Sequence, residues 1–462
     1  MKRIGILTAG GDTPALNATI QGAVARANQR HVEVYGFIKG FSSLLSPQVP
    51  HVHLNPLFSE IPELDATRGG TVIGASRAFV DARDDETLDQ IADRLARLKV
   101  TGLICVGGDG TLNGLQPFAD RLPTVLAPKT IDNDLGLNHR NEPDEWTRSS
   151  SPEPPGYRYQ RVASQVGFDP ESMVNYVTPG FATSVFVSVE GVQRIRTTAE
   201  SHRRIAIIEV MGRSAGYIAL GSAYGQPDII LVPEHPLKIE RLVKRVEQLY
   251  ELQKNVVIVC GEGIVDEAGQ ELGAKQASHD PAGNVILSGA SEALREILIE
   301  HLGDAYFQAY RRAESAKAAI FTRKVGHTQR GGRPILFDRF YATQLGGRAV
   351  DMLLEGQNNA VACLQWGRER GFTMDSFDGN GFRDRWGVIH GRQMHPSFYD
   401  PERMGPSRTG IEYLLPIFTS AVGHADVEHI RQTIFDAGSL FRPHHSVNTD
   451  INKRIRYLAE GP

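Results

Sequence analysis

GLICVGGDGT (102–111) is a short apolar stretch that ends in a glycine-rich turn. The same arrangement recurs at RIGILTAGG (3–11), PTVLAPKTIDND (123–134), RIAIIEVMGR (204–213) and NVVIVCGEG (255–263). Amphipathic stretches lie between these segments, among them residues 17–29 and 85–98. Continuous apolar strands that alternate with helices predict an α/β fold with mainly parallel sheets covered on both faces. Ligands of such sheets bind at the carboxyl ends of the strands, which is where these turns fall.

The size and composition suit a globular protein with two α/β lobes, because 462 residues are too many for one simple core. A net charge of −4 argues against a nucleic-acid surface or a polybasic membrane anchor. Cys105, Cys260 and Cys363 lie in or beside apolar segments, which predicts buried, reduced thiols. The chain shows no signal peptide after Met1 and no apolar stretch near the ~20 residues that a transmembrane helix needs. We therefore expect a cytoplasmic protein.

Two glycine turns are candidates for phosphate binding. Gly10-Gly11-Asp12 follows a strand and precedes a helix, so backbone N–H groups and the positive helix end can face an anion. Taken alone, such a turn is as often a tight turn that only packs as it is an anion-binding site. Gly107–Thr111 is more specific, because its glycines let the backbone close on a polyphosphate and its aspartate can hold Mg²⁺. GGDGT also occurs in NAD and lipid kinases, so it indicates phosphate binding more firmly than any one substrate.

The heptapeptide PKTIDND (128–134) carries the residue types that phosphoryl transfer needs. Asp132 and Asp134 stand two residues apart, with Lys129 and Thr130 upstream. One carboxylate can accept the proton of an attacking hydroxyl while the other helps to hold a metal ion. Because this reaction depends mainly on positioning and charge neutralisation, the whole heptapeptide favours a catalytic site, although DND alone favours a polar turn.

GGDGT followed by PKTIDND resembles the phosphofructokinase family. Further matches follow in the family's order: GGDTPALN (10–17), RGGTVIGASR (68–77), GFATSV (180–185), EVMGRSAGYIAL (209–220), the PE of LVPE (233–234), GEG (261–263) and GHTQRGG (326–332). The matches span about 10–332, with none across 137–179 or beyond about 400. The resemblance implies two Rossmann-like lobes with the active site in the cleft between them. It also implies a Mg²⁺-dependent kinase that moves a phosphoryl group from ATP to a sugar phosphate, with fructose 6-phosphate the first expected acceptor.

The resemblance implies roles for single residues as well. By this resemblance, Asp132 is the expected general base, and Thr130 is expected beside the transferred phosphoryl group. Lys129 and Arg213 are expected as further catalytic residues. Asp109 and Asp134 become the residues that organise Mg²⁺. The implied nucleotide-side residues are Gly11, Phe41, Arg77, Gly108, Asp109, Gly110 and Thr111. The implied sugar-phosphate-side residues are Thr130, Asp132, Arg204, Met211, Gly212, Arg213, Glu262, His327 and Arg330.

The expected organisation has a nucleotide-binding lobe at 1–136, to which part of about 329–385 returns, and a sugar-phosphate-binding lobe at 180–328. Residues 137–179 contain six prolines, which predicts a lid or a disordered insertion. Residues from about 400 to 462 form a C-terminal extension with a helical stretch at 426–437. The expected partners are small molecules and further copies of the chain. Arg204 resembles an arginine that reaches a neighbouring subunit's site, so a homodimer or homotetramer is expected.

Donor and acceptor stay open from the residues alone. Gly110 leaves room for the α-phosphate of ATP, where pyrophosphate-using members of the family carry aspartate, but Lys129 is typical of pyrophosphate enzymes. At the position of a second inter-subunit arginine this sequence has Phe321, which suggests an altered acceptor end. The alternatives are a pyrophosphate-dependent or non-fructose sugar-phosphate kinase on the same fold, and a non-catalytic nucleotide-binding relative. An NAD or lipid kinase shares GGDGT but does not explain PKTIDND or GHTQRGG.

Overall fold

The structure, a computed structural model, describes residues 2–76, 78, 80–81, 83–151, 156–162, 167–273, 278–279, 285–286, 289–309, 315–430, 432, 436 and 444–459. Its strands are β1 (Arg3–Ala9), β2 (Glu33–Phe37), β3 (His51–His53), β4 (Ala75–Ser76), β5 (Leu103–Gly107), β6 (Thr124–Pro128), β7 (Trp146–Ser150), β8 (Tyr157–Arg161), β9 (Ile205–Val210), β10 (Ile229–Leu231), β11 (Val256–Gly261), β12 (Ser278–His279), β13 (Val285–Ile286), β14 (Ile320–Lys324), β15 (Ala360–Gly367), β16 (Gly371–Asp378), β17 (Tyr399–Asp400) and β18 (Gly405–Pro406). Its helices are α1 (Leu16–Gln29), α2 (Phe41–Leu45), α3 (Asp85–Arg97), α4 (Asp109–Ala119), α5 (Phe181–His202), α6 (Tyr217–Gly221), α7 (Ile239–Gln253), α8 (Ala290–Ala309), α9 (Ala316–Ala319), α10 (Leu336–Leu354), α11 (Arg408–Phe418), α12 (His424–His429) and α13 (Val447–Arg454).

Two sheets organise the described part of the chain. The larger has the order β16-β15-β6-β5-β1-β2-β3, with β4 paired to the end of β1. Its inner neighbours are parallel, while β3 and β16 run antiparallel at its edges. The smaller sheet has the order β10-β11-β9-β14 and is parallel throughout. The predicted α/β class with mainly parallel sheets is therefore confirmed.

The apolar segments form strands because both of their faces are covered. All residues of β5 are buried, and they alternate between two clusters of apolar side chains: Ile104 and Val106 face one, Leu103 and Cys105 the other. The same complete burial holds for β9 and β11. The prediction of buried, reduced thiols is also confirmed, since all three cysteines are free and buried.

Close packing of α1 against α10 joins the returning part of the chain to the larger sheet. A Cβ at Gly22 would lie 1.9 Å from the carbonyl oxygen of Thr343, and one at Gly346 would lie 2.0 Å from that of Thr19. Only glycine permits this approach. The return brings β15 and β16 onto the larger sheet, whose strands come from residues 3–128 and 360–378, whereas the smaller sheet comes from 205–324.

The segment 137–179 contains an antiparallel hairpin of β7 and β8. The first residue of the hairpin, Trp146, stacks on His390 with ring centroids 3.8 Å apart. The His390 Nε2 in turn forms a hydrogen bond with an Asp384 carboxylate oxygen at 2.9 Å. The hairpin therefore packs on a loop that comes after the last strand of the larger sheet. Residues 152–155 and 163–166 lie outside the described part of this segment.

The C-terminal extension wraps back over the molecule. Of the predicted helix at 426–437, the structure has α12, which ends at His429, and most of residues 431–437 lie outside the described part of the chain. After α13, Arg456 exchanges backbone hydrogen bonds with His51 at 2.8 and 3.0 Å, and Arg454 contacts Glu63 at 2.8 Å. The segment around residues 454–456 is thus tied to the β3 edge of the larger sheet. Among the described helices, none has the length and apolar character needed to cross a membrane.

Candidate active site

A cleft lies where the carboxyl ends of strands from both sheets meet. From the larger sheet it receives the turns after β1, β5 and β6, and from the smaller sheet it receives Arg213, which comes after β9. The cleft lining includes Gly10, Gly11, Asp12, Thr13, Phe41, Ser76, Gly108, Asp109, Gly110, Thr111, Gly114, Lys129, Thr130, Asp132, Asp134, Arg213 and Arg330. Most of the residues predicted from the three motifs are therefore brought together.

The glycine turns leave open space where the sequence predicts a phosphate chain. Gly107 must be glycine, because a Cβ there would lie 2.0 Å from the Thr111 Oγ1. Gly110, at the start of α4, lines the cleft, and a Cβ on it would meet no atom within 4 Å. Phe41 borders the same space and stacks on Phe118 with centroids 5.8 Å apart. This side of the cleft suits a ligand with phosphates and a flat ring.

The turn after β6 carries the candidate catalytic groups. The Thr130 Oγ1 accepts a hydrogen bond from the Asp132 backbone N–H at 3.0 Å, which tightens the turn. The Lys129 ammonium donates to the Gly11 carbonyl oxygen and so connects this turn to the turn after β1. Asp132 and Asp134 each have a buried carboxylate oxygen, Oδ1, that has no hydrogen-bond partner among the described residues. Both carboxylates are thus available to a ligand.

Burial shifts the pKa values of these groups. Burial is the main reason that the pKa of Asp132 is raised, although Arg213 and Arg330 oppose the shift. Burial, followed by the charges of Asp109 and Asp132, raises the pKa of Asp134 to about 7. Burial also lowers the pKa of Lys129 to about 8, despite the nearby Asp12. Several shifted groups in one cleft are typical of a catalytic site.

Loops of the smaller sheet lie beside the cleft, and two of their residues, Arg213 and Arg330, line it, whereas the predicted residues Met211, Gly212 and Glu262 lie behind that lining. The Met211 N–H donates to the Gln329 Oε1 at 2.9 Å, and the Arg213 N–H donates to a Glu262 carboxylate oxygen at 3.1 Å. Gly212 has φ 140° and Arg213 has φ 50°, so the chain turns sharply between these contacts. Burial, followed by the charge of Asp132, raises the pKa of Glu262 to about 7. These residues follow β9, β11 and β14, three neighbouring parallel strands, which explains how separate motifs meet.

A second depression adjoins the cleft and holds His327. Arg330 and Gly11 line both spaces, and Asn448 of α13 lines the depression as well. A Cβ at Gly11 would lie 3.2 Å from an Arg330 guanidinium nitrogen, which leaves no spare room there. The sequence analysis did not single out Asn448, because nothing in its local sequence points to a site more than 100 residues earlier in the chain.

Two predicted acceptor-side positions lie away from this cleft. Arg204 precedes β9, whereas the cleft lies after its last residue, and six residues of strand span about 20 Å. Phe321 pairs with Ala206 on the edge strand β14, so it lies at the same far end. Its ring packs against the main apolar cluster. Arg77, the remaining nucleotide-side candidate, lies outside the described residues.

The expected Mg²⁺ fits the oxygen ligands present but not a fully preformed cage. In the described ranges, no group of three or more His, Cys, Asp or Glu side chains is arranged to hold a metal ion. Mg²⁺ is commonly bound by one or two carboxylates together with substrate phosphates. The unpartnered Asp134 Oδ1 and the neighbouring Asp109 are consistent with such a site.

Several lining residues were missed by the sequence analysis, although the motifs contained the signal. Thr13 belongs to GGDTPALN and Ser76 to RGGTVIGASR, and both line the cleft. Gln329, inside GHTQRGG, is fully buried and donates to the Ser184 and Ser188 hydroxyls at 3.1 and 3.0 Å. It therefore joins the Met211 loop to α5.

Sequence comparison decides the family. The profile described as phosphofructokinase matches residues 3–140 and 169–353. The chain belongs to the phosphofructokinase family. Among its relatives is the pyrophosphate–fructose 6-phosphate 1-phosphotransferase of Amycolatopsis methanolica, 33% identical over 79% of this chain and 90% of that one. Another is the ATP-dependent 6-phosphofructokinase 2 of Streptomyces coelicolor, 34% identical over 79% of this chain and 91% of that one. The chain is therefore a 6-phosphofructokinase-like enzyme, and the non-catalytic alternative falls away.

Solved structures agree on the fold. The pyrophosphate-dependent phosphofructokinase of Marinobacter aquaeolei matches with TM-score 0.67 and 17% identity, covering 92% of each chain. The phosphofructokinase of Saccharomyces cerevisiae matches with TM-score 0.58 and 21% identity, covering 82% of this chain and 45% of that one. The profile also corrects the expected extent of the resemblance. It reaches residue 140 and resumes at 169, so the unmatched segment is shorter than 137–179, and the match continues to 353.

Proposed function

We propose that this phosphofructokinase transfers the γ-phosphoryl group of MgATP to fructose 6-phosphate, forming fructose 1,6-bisphosphate. The observation that carries the proposal is the position of Asp132. It lies in one cleft with glycine turns suited to a polyphosphate and with the arginines Arg213 and Arg330. Arginine binds phosphate oxygens bidentately, so this arrangement suits a hydroxyl placed between two phosphate sites.

In the proposed reaction, the Asp132 carboxylate accepts the proton of the attacking sugar hydroxyl. The hydroxyl oxygen forms a bond to the γ-phosphorus, the bond to the bridging oxygen breaks, and ADP leaves. Lys129 and Arg213 offset the negative charge on the transferred group, and Thr130 lies beside it. Asp109 and Asp134 would hold Mg²⁺, which neutralises phosphate charge when bound.

The proposed acceptor side consists of the loops of the smaller sheet beside the cleft and of the adjoining depression. Glu262 can accept hydrogen bonds from sugar hydroxyls, while His327 and Arg330 suit the sugar phosphate. Met211 and Gly212 shape the loop between them. None of the described residues between 137 and 179 lines the cleft or the adjoining depression. This position favours an unmodified acceptor site over one redirected by the insertion.

ATP is the favoured donor because the space at Gly110 is open. Relatives of similar identity are named for ATP and for pyrophosphate, so the donor has to be tested directly. The test is an enzyme-linked assay with fructose 6-phosphate, Mg²⁺ and either donor at matched concentrations. Turnover with pyrophosphate and not with ATP would overturn the proposal. No turnover with either would send the search to other sugar phosphates, as Phe321 suggested.

Two variants at residue 110 distinguish the effect of side-chain volume on ATP use from the effect of side-chain charge. Gly110→Ala adds a Cβ that meets nothing within 4 Å, so it should fold and keep most ATP-dependent turnover. Gly110→Asp directs a carboxylate into the same space and should lower ATP-dependent turnover on the order of a hundredfold through repulsion of the phosphates. Equal rates for the two variants would contradict a donor site at Gly110.

We also propose a homo-oligomer in which Arg204 serves a neighbouring subunit's site. The support is its place at the amino end of β9, about 20 Å from the cleft of its own chain. An active monomer would contradict this assembly.

A further inference from the structure

The turn that carries Asp132 and Asp134 is held by hydrogen bonds from residues that lie beyond the part of the chain matched by the phosphofructokinase profile. The match ends at residue 353, and both Arg392 and Tyr413 lie after it. Tyr413 is fully buried and Arg392 is 2% exposed. Their contacts converge on Asn133, the residue between the two carboxylates.

Asn133 holds an uncommon conformation that needs support. Its φ is 59°, in the left-handed region, which asparagine enters more readily than most L-residues because its short polar side chain can hydrogen-bond locally. Its side-chain NH₂ lies 2.7 Å from the Tyr413 hydroxyl, and its side-chain carbonyl accepts the Thr178 N–H at 2.9 Å. Because Asn133 reverses the chain between the two aspartates, its orientation decides where both carboxylates point.

Arg392 holds the same turn by hydrogen bonds to its main-chain carbonyl groups. Its guanidinium donates to the carbonyl oxygens of Asn133 and Asn175, each at 2.8 Å, and its backbone N–H donates to the Asp134 carbonyl at 2.6 Å. Gly136 makes room for it, since a Cβ there would lie 2.5 Å from the guanidinium. Three directed donors of one buried residue thus fix the backbone of this turn.

Tyr413 is fixed in turn by a closed set of contacts. Its hydroxyl also lies 3.0 Å from the Tyr176 carbonyl, while the Tyr176 hydroxyl donates to the Tyr413 carbonyl at 2.8 Å. Its ring stacks on Phe398 with centroids 4.7 Å apart. The hydroxyl consequently has little freedom, which makes it a rigid support for Asn133.

We propose that Arg392 and Tyr413 are positioning residues that hold the Asp132–Asp134 turn in its reactive geometry. This inference rests on the proposed function, because it assigns the carboxylates of that turn to catalysis. Small misplacements of reacting groups cost rate, on the order of a hundredfold for about 1 Å. Loss of the hydrogen bonds from Arg392 or Tyr413 to this turn should therefore lower kcat more than it changes substrate binding.

Tyr413→Phe in the full-length protein is the direct test, because it removes one hydroxyl and keeps the stacked ring. We expect kcat to fall on the order of tenfold or more, with the KM of donor and acceptor each changed by less than about threefold. Tyr399→Phe is the matched control. It removes a hydroxyl that donates to the Ile230 carbonyl at 2.7 Å, in the same extension but away from the turn. It should lower the Tm comparably and leave kcat unchanged.

Arg392→Lys is the second variant. It keeps the charge but loses the planar fork that spans two carbonyls, so it should also lower kcat. All assays are run at least about 15 °C below each variant's Tm so that unfolding does not reduce the rate. Full kcat in both Tyr413→Phe and Arg392→Lys would overturn the proposal.

Hydrogen exchange separates this inference from the proposed function. Peptides covering residues 129–135 should exchange faster in Tyr413→Phe than in the wild type or in Tyr399→Phe. Unchanged exchange would overturn the proposal that Tyr413 holds this turn, whatever activity is measured. Faster exchange in a protein whose wild type turns over no sugar phosphate would support that proposal and contradict the proposed function.

Discussion

Replacing Asp132 with asparagine tests the proposed base most directly. The change keeps the size of the side chain and removes its negative charge. General-base catalysis contributes roughly 10²–10⁴ in rate, which equals about 3–5 kcal/mol of transition-state stabilisation. We therefore expect kcat to fall at least a hundredfold, measured by an enzyme-linked assay at saturating ATP and fructose 6-phosphate. A variant that keeps more than about a tenth of kcat would refute the assignment.

The same variant should be at least as stable as the wild type. Burial raises the pKa of Asp132, so the folded protein holds this proton to a higher pH than the unfolded chain. Above the ordinary pKa of aspartate, the buried carboxylate therefore costs stability, and this cost grows as the pH rises through the folded pKa. Asparagine removes the cost, so the Tm should be equal or higher at pH 8, with a smaller difference near pH 4.

Two further variants make the result specific to the base. Asp134→Asn should raise the Mg²⁺ concentration needed for half-maximal rate, whereas Asp132→Asn should leave that concentration nearly unchanged. Asp120→Asn, an exposed change just after α4, is the control and should alter neither quantity. A shared Mg²⁺ defect in the first two variants would mean that both aspartates bind the metal ion.

Three other predictions concern the pH profile, the acceptor and the assembly. The Lys129 ammonium, whose pKa is lowered to about 8 by burial, loses its proton above that pH, so kcat/KM should decline from pH 8 upward; a flat profile from pH 7 to about 9.5 would contradict its role. Phe321→Arg should lower the KM for fructose 6-phosphate on the order of tenfold by adding a phosphate contact at the neighbouring subunit's site, because residue 321 lies beside Arg204 and away from the cleft of its own chain. The Tm should fall somewhat because the native ring is packed. An unchanged KM would mean that residue 321 reaches no acceptor site. Inactive Asp132→Asn and inactive Arg204→Ala proteins, unfolded and refolded together, should regain activity, because mixed oligomers contain sites with both native residues; no recovery would mean that Arg204 serves its own chain.

Local sequence determined the fold class and most members of the cleft, and the reason is physical. A strand buried on both faces must be apolar throughout, as β5 is, and its carboxyl end must turn through glycines such as Gly107 that admit no side chain. Motifs at the ends of parallel strands are then forced to one edge of the sheet. The grouping of Asp109, Thr130 and Asp132 resulted from these constraints alone.

Only the tertiary structure decided which distant segments support that cleft. Arg392, Tyr413 and Asn448 stand in parts of the chain with no motif, and they reach the site because the chain returns through α10, β15 and the C-terminal extension. Strand length places Phe321 and Arg204 at the far end of the smaller sheet, so their predicted role at a neighbouring subunit's acceptor site depends on an assembly that local sequence does not determine. Contacts of this kind depend on how the layers pack, which local residue patterns do not encode.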